Sequence, residues 1–308
     1  MIVREKPNAF KLFFILRGSI VPRILPQIIF IALLASIVAS VQFFYPGTFR
    51  AYTTAPFTLL GVALSLFLGF RNNACYDRWW EARRQWGQLV VDARSLARQA
   101  TSLIDNQIEG GSEAQKRLVH LTIAFSHALR HHLRQTDPWG DMKKYVAPSD
   151  LELLRQSQNL PDCLLRLMGH ELGDCRKNKL LSDILVQSID ERITSLAGIL
   201  AACERIHNAP LPFAYMLLVH RTAYLYCFML PFGLVASLGM ATPFFCALIA
   251  YAFFGLDVLS EELEEPFGLA NNALPLKAMS RTIEINLLEV LGEEDLPLPL
   301  QPDAYFLQ

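Results

Sequence analysis

Three long stretches of this chain carry no charged side chain: Ile24 to Phe49, Ala51 to Phe70 and Thr222 to Leu256. A hydrocarbon layer of roughly 30 Å needs about 20 apolar residues when each adds 1.5 Å of helix, so the first two stretches each suffice for one crossing. The third is long enough for two shorter helices. Its break is visible at Gly239-Met240-Ala241-Thr242-Pro243, where an entropic helix breaker precedes a residue that cannot donate an intrahelical hydrogen bond. Four membrane spans follow. At 52% hydrophobic residues, the composition exceeds what a soluble surface needs.

The first stretch is too long for a cleavable secretory signal, whose apolar region is about 7 to 15 residues. Orientation comes from the loops. Arg4, Lys6, Lys11, Arg17 and Arg23 precede the first span against Glu5 alone, and Arg71, Arg78, Arg83 and Arg84 follow the second. The positive-inside rule therefore places the N-terminus and the region after the second span in the cytoplasm. The tail after the fourth span is then cytoplasmic as well. Its acids Glu261, Glu262, Glu264 and Glu265 count little in that rule.

Residues 71 to 221 show helical periodicity and no period-two alternation. Gly110-Gly111 ends one helix, and Ser112-Glu113-Ala114-Gln115 has the form of a capping box opening the next. Asp137-Pro138 stops it. Pro148 to Glu152 signals a further start, Asn159-Leu160-Pro161 an end, and a longer helix is predicted from Lys179 to Ile206. The tail after Gly292, with Pro297, Pro299 and Pro302, is predicted to be extended.

Other functions find little support. A net charge of −1 argues against nucleic-acid binding, which calls for a basic stripe over a domain. The six cysteines have no C-x-x-C spacing and suit reduced, buried thiols. His120, His127 and His131 share one helix face at metal-ligand spacing, but Leu118, Leu121, Phe125 and Leu129 centre on the opposite face, which predicts that the histidines are solvated rather than ligands. No metal site and no cofactor are expected. The motifs of metalloproteases, serine hydrolases, P-loop enzymes and dinucleotide-binding folds are missing from the sequence, and no catalytic residue is assigned.

The second span is the informative one. It opens Thr53-Thr54-Ala55-Pro56, with Pro in the first helical turn. Val62, Leu66 and Phe70 then stack at i, i+4 and i+8 as an apolar ridge, with the small residues Gly61, Ala63, Ser65 and Gly69 between them. Copies of such a helix around an axis would turn the ridge into stacked apolar rings, which gate by dewetting. No ionisable residue lies inside the four spans, which disfavours an ion-coupled carrier. Helical propensity continues past Phe70 and places Trp79 and Trp80 near headgroup level, where indoles are favoured.

Phe70-Arg71-Asn72-Asn73 followed by Arg78-Trp79-Trp80-Glu81-Ala82-Arg83 resembles the segment after the pore helix in the bestrophin family, especially its bacterial branch. Arg17-Gly18-Ser19, Pro212-Phe213-Ala214-Tyr215 and Glu265-Pro266-Phe267-Gly268 sit where that family has related signatures. The resemblance covers roughly residues 10 to 290. It implies a homopentamer around a central pore, with four transmembrane regions and a helical cytosolic domain per subunit. It also implies a pore neck at Val62, Leu66 and Phe70 and a cytosolic aperture at Ile184, beside Asp183. Arg78, Trp79 and Trp80, with Pro266, Phe267 and Gly268, are its signature positions. Animal members follow Pro-Phe-Gly with an acidic run that helps to clasp Ca²⁺, whereas Leu269-Ala270-Asn271-Asn272 follows here; a hard cation needs several carboxylate or carbonyl oxygens, so the clasp is expected to be absent or weak.

The sequence therefore reads as an all-α membrane protein: an N-terminal segment with spans 1 and 2 over 1–70, a cytosolic helical domain over 71–221, spans 3 and 4 over 222–256, and a cytosolic helix and extended tail over 257–308. The expected function is passive conduction of small monovalent ions across a bacterial inner membrane, anions such as chloride being the family norm. Helix N-termini near Pro56 would favour anions too. A monovalent cation channel of the same fold is the alternative, because Asp183 beside the aperture favours cations. A non-conducting membrane scaffold is the second. The partners expected are the lipid bilayer, permeating ions and further copies of the chain.

Overall fold

The computed structural model describes residues 1–4, 8–12, 14–49 and 53–308. Glu5 and Lys6 of the N-terminal charge count, and Ala51 at the head of the second uncharged stretch, lie outside the described residues. Among the described residues the structure is helical: α1 (Ala9–Leu12), α2 (Val21–Phe44), α3 (Ala55–Leu103), α4 (Gly111–Arg134), α5 (Trp139–Met142), α6 (Leu151–Gln156), α7 (Leu160–Lys177), α8 (Asp183–Asn208), α9 (Phe213–Leu238), α10 (Thr242–Glu264) and α11 (Leu276–Val290). The described residues form isolated bridges at Phe306 but no strand. Two compact units share the chain, and the division falls within α3. One comprises Arg4–Trp79 and Pro210–Glu265; the other comprises Met1–Val3, Trp80–Ala209 and Pro266–Gln308.

The first unit is built from the apolar stretches. By length and composition, Val21–Phe44, Ala55–Leu103 and Phe213–Glu264 can cross a membrane. The last of these is two helices, α9 and α10, separated by a turn at Gly239–Ala241 in which Gly239 has φ +53°. Ile24, Ile31 and Ala35 of α2 meet Leu64 and Leu68 of α3, Ala223, Cys227 and Leu230 of α9, and Cys246, Ala250 and Phe254 of α10 in one buried cluster. Gly61 is required for that approach: a Cβ there would sit 2.6 Å from the Tyr226 hydroxyl. Small residues at such crossings are what bring helices together in lipid, where burial of apolar area adds no driving force. Gly69, by contrast, has nothing within 4 Å of where its Cβ would stand.

The second unit is organised around α4. The expected apolar face of Leu118, Leu121, Phe125 and Leu129 is buried, but so is the opposite face. Local periodicity predicts a solvated His127; instead it is buried, and its Nε2 lies 3.1 Å from the Glu284 carboxylate of α11. The amphipathic rule assumes one covered face, whereas α4 packs against α7, α8 and α11. Tyr145 donates to Glu284 at 2.5 Å and Lys144 at 2.9 Å, and Arg281 lies 3.2 Å away.

Helix boundaries show two further differences. The capping box does not form: α4 starts at Gly111, the capping position is Gly110 with φ +84°, and no side chain caps it. Gln115 instead donates to the carbonyls of Thr101 and Ile104, satisfying the end of the preceding helix. Asn159-Leu160-Pro161 begins a helix rather than ending one. Asn159 accepts from the Asp162 amide at 3.2 Å and Pro161 occupies the first turn of α7, where a missing N–H costs nothing. The helix predicted from Lys179 runs Asp183–Asn208, since Lys179 takes φ +60°. All six cysteines are buried and unpaired. The tail returns to the chain start, with the Met1 amine donating to Leu307, and the Val3 amide donating to Tyr305 at 2.8 Å.

Burial pushes the Glu284 carboxyl up, but hydrogen bonds from His127, Tyr145 and Lys144 outweigh it and hold it at about 2, below the ordinary 4.5. A carboxyl whose folded pKa is depressed contributes stability that is complete above the unfolded value and is lost as pH falls through the folded one. Glu284→Gln is therefore expected to destabilise the protein by about 3 kcal/mol at neutral pH, because it leaves buried donors facing no charge. In thermal melts the deficit should shrink as pH is lowered from 4.5 toward 2.

Candidate functional site

On α3, Leu64 and Leu68 turn inward and are buried, while Val62, Leu66 and Phe70 lie on the other side with exposures of 63%, 56% and 56%. The spacing of four residues holds them in one line along the helix. Ser65 has its hydroxyl turned back to the Val62 carbonyl, at 2.8 Å, so the face offers no polar group of its own there. Leu59 and Phe67 widen the exposed apolar surface. Such a contiguous face is stable only against lipid or another protein surface.

Immediately after Phe70 the polarity reverses. Arg71 is buried and its Nη1 bonds the Asp257 carboxylate of α10, both side chains being no more than 2% exposed. The other Asp257 oxygen lies 2.6 Å from His220 Nδ1 on α9. Asn72 donates to the carbonyls of Leu68 and Leu256. Arg78, one of the signature positions, donates from Nε to the carbonyl of Glu264 at 2.7 Å and so satisfies the last residue of α10. Trp79 is half-buried and stacks on Tyr76, and Trp80 is exposed.

In the second unit, Ile184 and Asp183 occupy the first turn of α8. Ile184 is 81% exposed. Asp183 is bonded by Arg176 Nε at 2.6 Å, both side chains being largely exposed. Pro266 and Phe267 are buried in a loop whose shape is fixed by hydrogen bonds: the Leu274 amide donates to the Pro266 carbonyl at 2.8 Å, and Arg134 donates to the carbonyls of Phe267 and Leu274. Leu269 and the residues through Asn271 are exposed. The three ridge residues thus share one face of one helix, while Ile184 and Asp183 belong to the other unit.

Sequence reasoning missed Asp257, His220 and Glu261. The charges flanking the apolar stretches serve there as orientation signals, and nothing local pairs Arg71 with a residue 186 positions away. The available signal was Asp257 and Glu261 at i, i+4 directly after the third uncharged stretch.

Long apolar helices with an exposed apolar ridge and ionic groups confined to their ends define an α-helical integral membrane protein. The chain belongs to the bacterial/fungal bestrophin family, which it matches over residues 1–289. It is 47% identical to a voltage-dependent anion channel-forming protein of Mesorhizobium japonicum, covering 95% of this chain and 93% of that one. It is 40% identical to the voltage-dependent anion channel-forming protein YneE of Escherichia coli, covering 99% of both. A crystal structure of a bacterial bestrophin homologue from Klebsiella pneumoniae superposes with a TM-score of 0.82 at 40% identity, over 88% of this chain and 99% of that one.

Removing one member of a buried ion pair strands the other, at a cost of about 3–5 kcal/mol, whereas replacing both with apolar residues of similar volume is close to neutral. Arg71→Met and Asp257→Leu are each expected to lower the thermal midpoint of the detergent-purified protein sharply, and the double variant to recover most of the loss. A double variant no better than the worse single one would show that the pair is not what holds α3 to α10.

Proposed function

We propose that the chain is a passive anion channel, assembled as a homopentamer in which five copies of α3 surround a central pore. The observation that carries this reading is the line of Val62, Leu66 and Phe70, exposed on a helix whose opposite face is packed. A ridge of that kind around an axis forms a hydrophobic neck that stays dry at rest and obstructs ions without coordinating them. The similarity to voltage-dependent anion channel-forming proteins supports an anion as the permeating ion. The four crossings are α2, the first part of α3, α9 and α10, in a bacterial inner membrane, with the second unit in the cytoplasm. The Met1 amine bonded to the Leu307 carbonyl is in keeping with that orientation.

Ile184 at the start of α8 is assigned to a second, cytosolic aperture. The Arg176–Asp183 pair weighs against a cation preference there, because the carboxylate that would attract cations already has a guanidinium on it.

Three measurements test this. Proteoliposomes should pass chloride, with reversal potentials under a salt gradient on the anion side, and the detergent-purified protein should have the mass of a pentamer; a monomer that conducts would overturn the assembly. In planar bilayers, Val62→Ala, Leu66→Ala and Phe70→Ala combined should raise single-channel conductance several-fold with little change in reversal potential, while Ile184→Ala or Asp183→Asn should shift the reversal potential more. Unchanged conductance in the triple variant would remove α3 from the pore.

A further inference from the structure

Within the first unit, a cavity of 420 Å³ opens beside α9 and the end of α10, with Arg71, His220, Glu261, Glu264 and Glu265 in its wall and Phe213 and Met216 on its apolar side. Asp257 stands behind His220. One ligand-type atom each from His220, Asp257 and Glu261 lies within 4.8 Å of the other two. We propose that these three side chains bind a first-row transition-metal dication, with Zn²⁺ as the favoured ion.

The donor set decides the class of ion. One imidazole nitrogen and two carboxylates form a borderline set that suits Zn²⁺ and its neighbours, whereas Ca²⁺ takes six or more oxygens and Mg²⁺ keeps most of its waters. Ligand bonds of about 2.0–2.2 Å put donors on a tetrahedral ion roughly 3.5 Å from one another, so the 2.6 Å His220–Asp257 contact opens by about 1 Å while Glu261 closes in from within 4.8 Å. Glu261 can make that movement: it lies on the surface, held only by Arg23 at 3.1 Å. Asp257 can stay in place, because Arg71 fixes one of its oxygens, while the partly open His220 swings off the other to make room for the ion. That arrangement, a ligand oriented by a charged hydrogen-bond donor behind it, is the usual second layer of a metal site.

Two further features separate this cluster from a simple histidine–aspartate hydrogen bond. The cavity is acidic: Glu261, Glu264 and Glu265 line it, with Asp257 behind His220, against Arg71 and the Arg23 that sits on Glu261. A dication would therefore enter a site that already has excess negative charge. In addition, Nε of the buried Arg71, whose side chain forms part of the same wall, has no protein partner. A water or hydroxide in the fourth position of a three-ligand metal is an acceptor of the kind that donor lacks. His220 is partly open to the cavity, so an ion can reach the ligands from solvent.

The test uses the detergent-purified protein stripped with a chelator and titrated with ZnCl₂, with MgCl₂ as control. Calorimetry should give one saturable zinc per chain, zinc but not magnesium should raise the thermal midpoint, and CoCl₂ should give visible absorption of four- or five-coordinate cobalt. Glu261→Gln and His220→Gln should each weaken zinc binding by more than the roughly 10- to 100-fold that a supporting residue contributes, and should abolish the cobalt spectrum. Should His220→Gln fail to fold, Glu261→Gln decides alone, because its side chain is exposed. Zinc binding of undiminished affinity in the variants, or no zinc effect beyond that of magnesium, overturns the proposal.

Discussion

Arg71 and Asp257 form a buried guanidinium–carboxylate pair in the first unit, and the arrangement of α3 against α10 depends on them. Within a bilayer, apolar side chains are as well solvated by lipid tails as by one another, so Leu64 and Leu68 meet α2, α9 and α10 without a strong preference for one rotation over another. A charge removed from water tolerates no such slippage. Its partner must be within hydrogen-bond reach or the folded state loses several kcal/mol. Asn72, bonded across to the Leu256 carbonyl, and Arg78, bonded to the Glu264 carbonyl, extend the same constraint along successive turns of α3. Gly61 adds the steric half of it by admitting the Tyr226 hydroxyl.

What could be read from sequence followed the range of the interactions involved. The apolar stretches, the interruption at Gly239 and the unbroken run of α3 past Phe70 are properties of neighbouring residues, and they appear in the structure as anticipated. Asn159-Leu160-Pro161 is ambiguous locally, since proline ends one helix as readily as it suits the first turn of the next; only the packing of the residues that follow selects the second. His127 was misplaced for a different reason. Its acceptor, Glu284, is 157 residues away on α11, and no periodicity within α4 reports that a second helix covers the polar face. The Arg71–Asp257–His220 cluster is hidden in the same way, its members lying at the borders of three separate stretches.

The exposed ridge and the buried cluster are consequences of one rotation of α3. Phe70 and Arg71 are adjacent, so about 100° separates their side chains around the helix axis. With Arg71 directed at Asp257, Phe70 must face away from α10, and Leu66 and Val62, one and two turns earlier, follow it. Turning the helix by a single residue would bring Phe70 toward the place of a charged partner and swing Arg71 into apolar surroundings, and each change is costly on its own. The ion pair at the end of the span thereby positions side chains that it never touches. This accounts for an otherwise odd feature of the segment: a charged residue directly beside an apolar ridge, in a helix where lipid-facing or pore-facing positions tolerate almost any large aliphatic side chain. Whatever surface the ridge of Val62, Leu66 and Phe70 meets, the direction in which it points is set by Arg71.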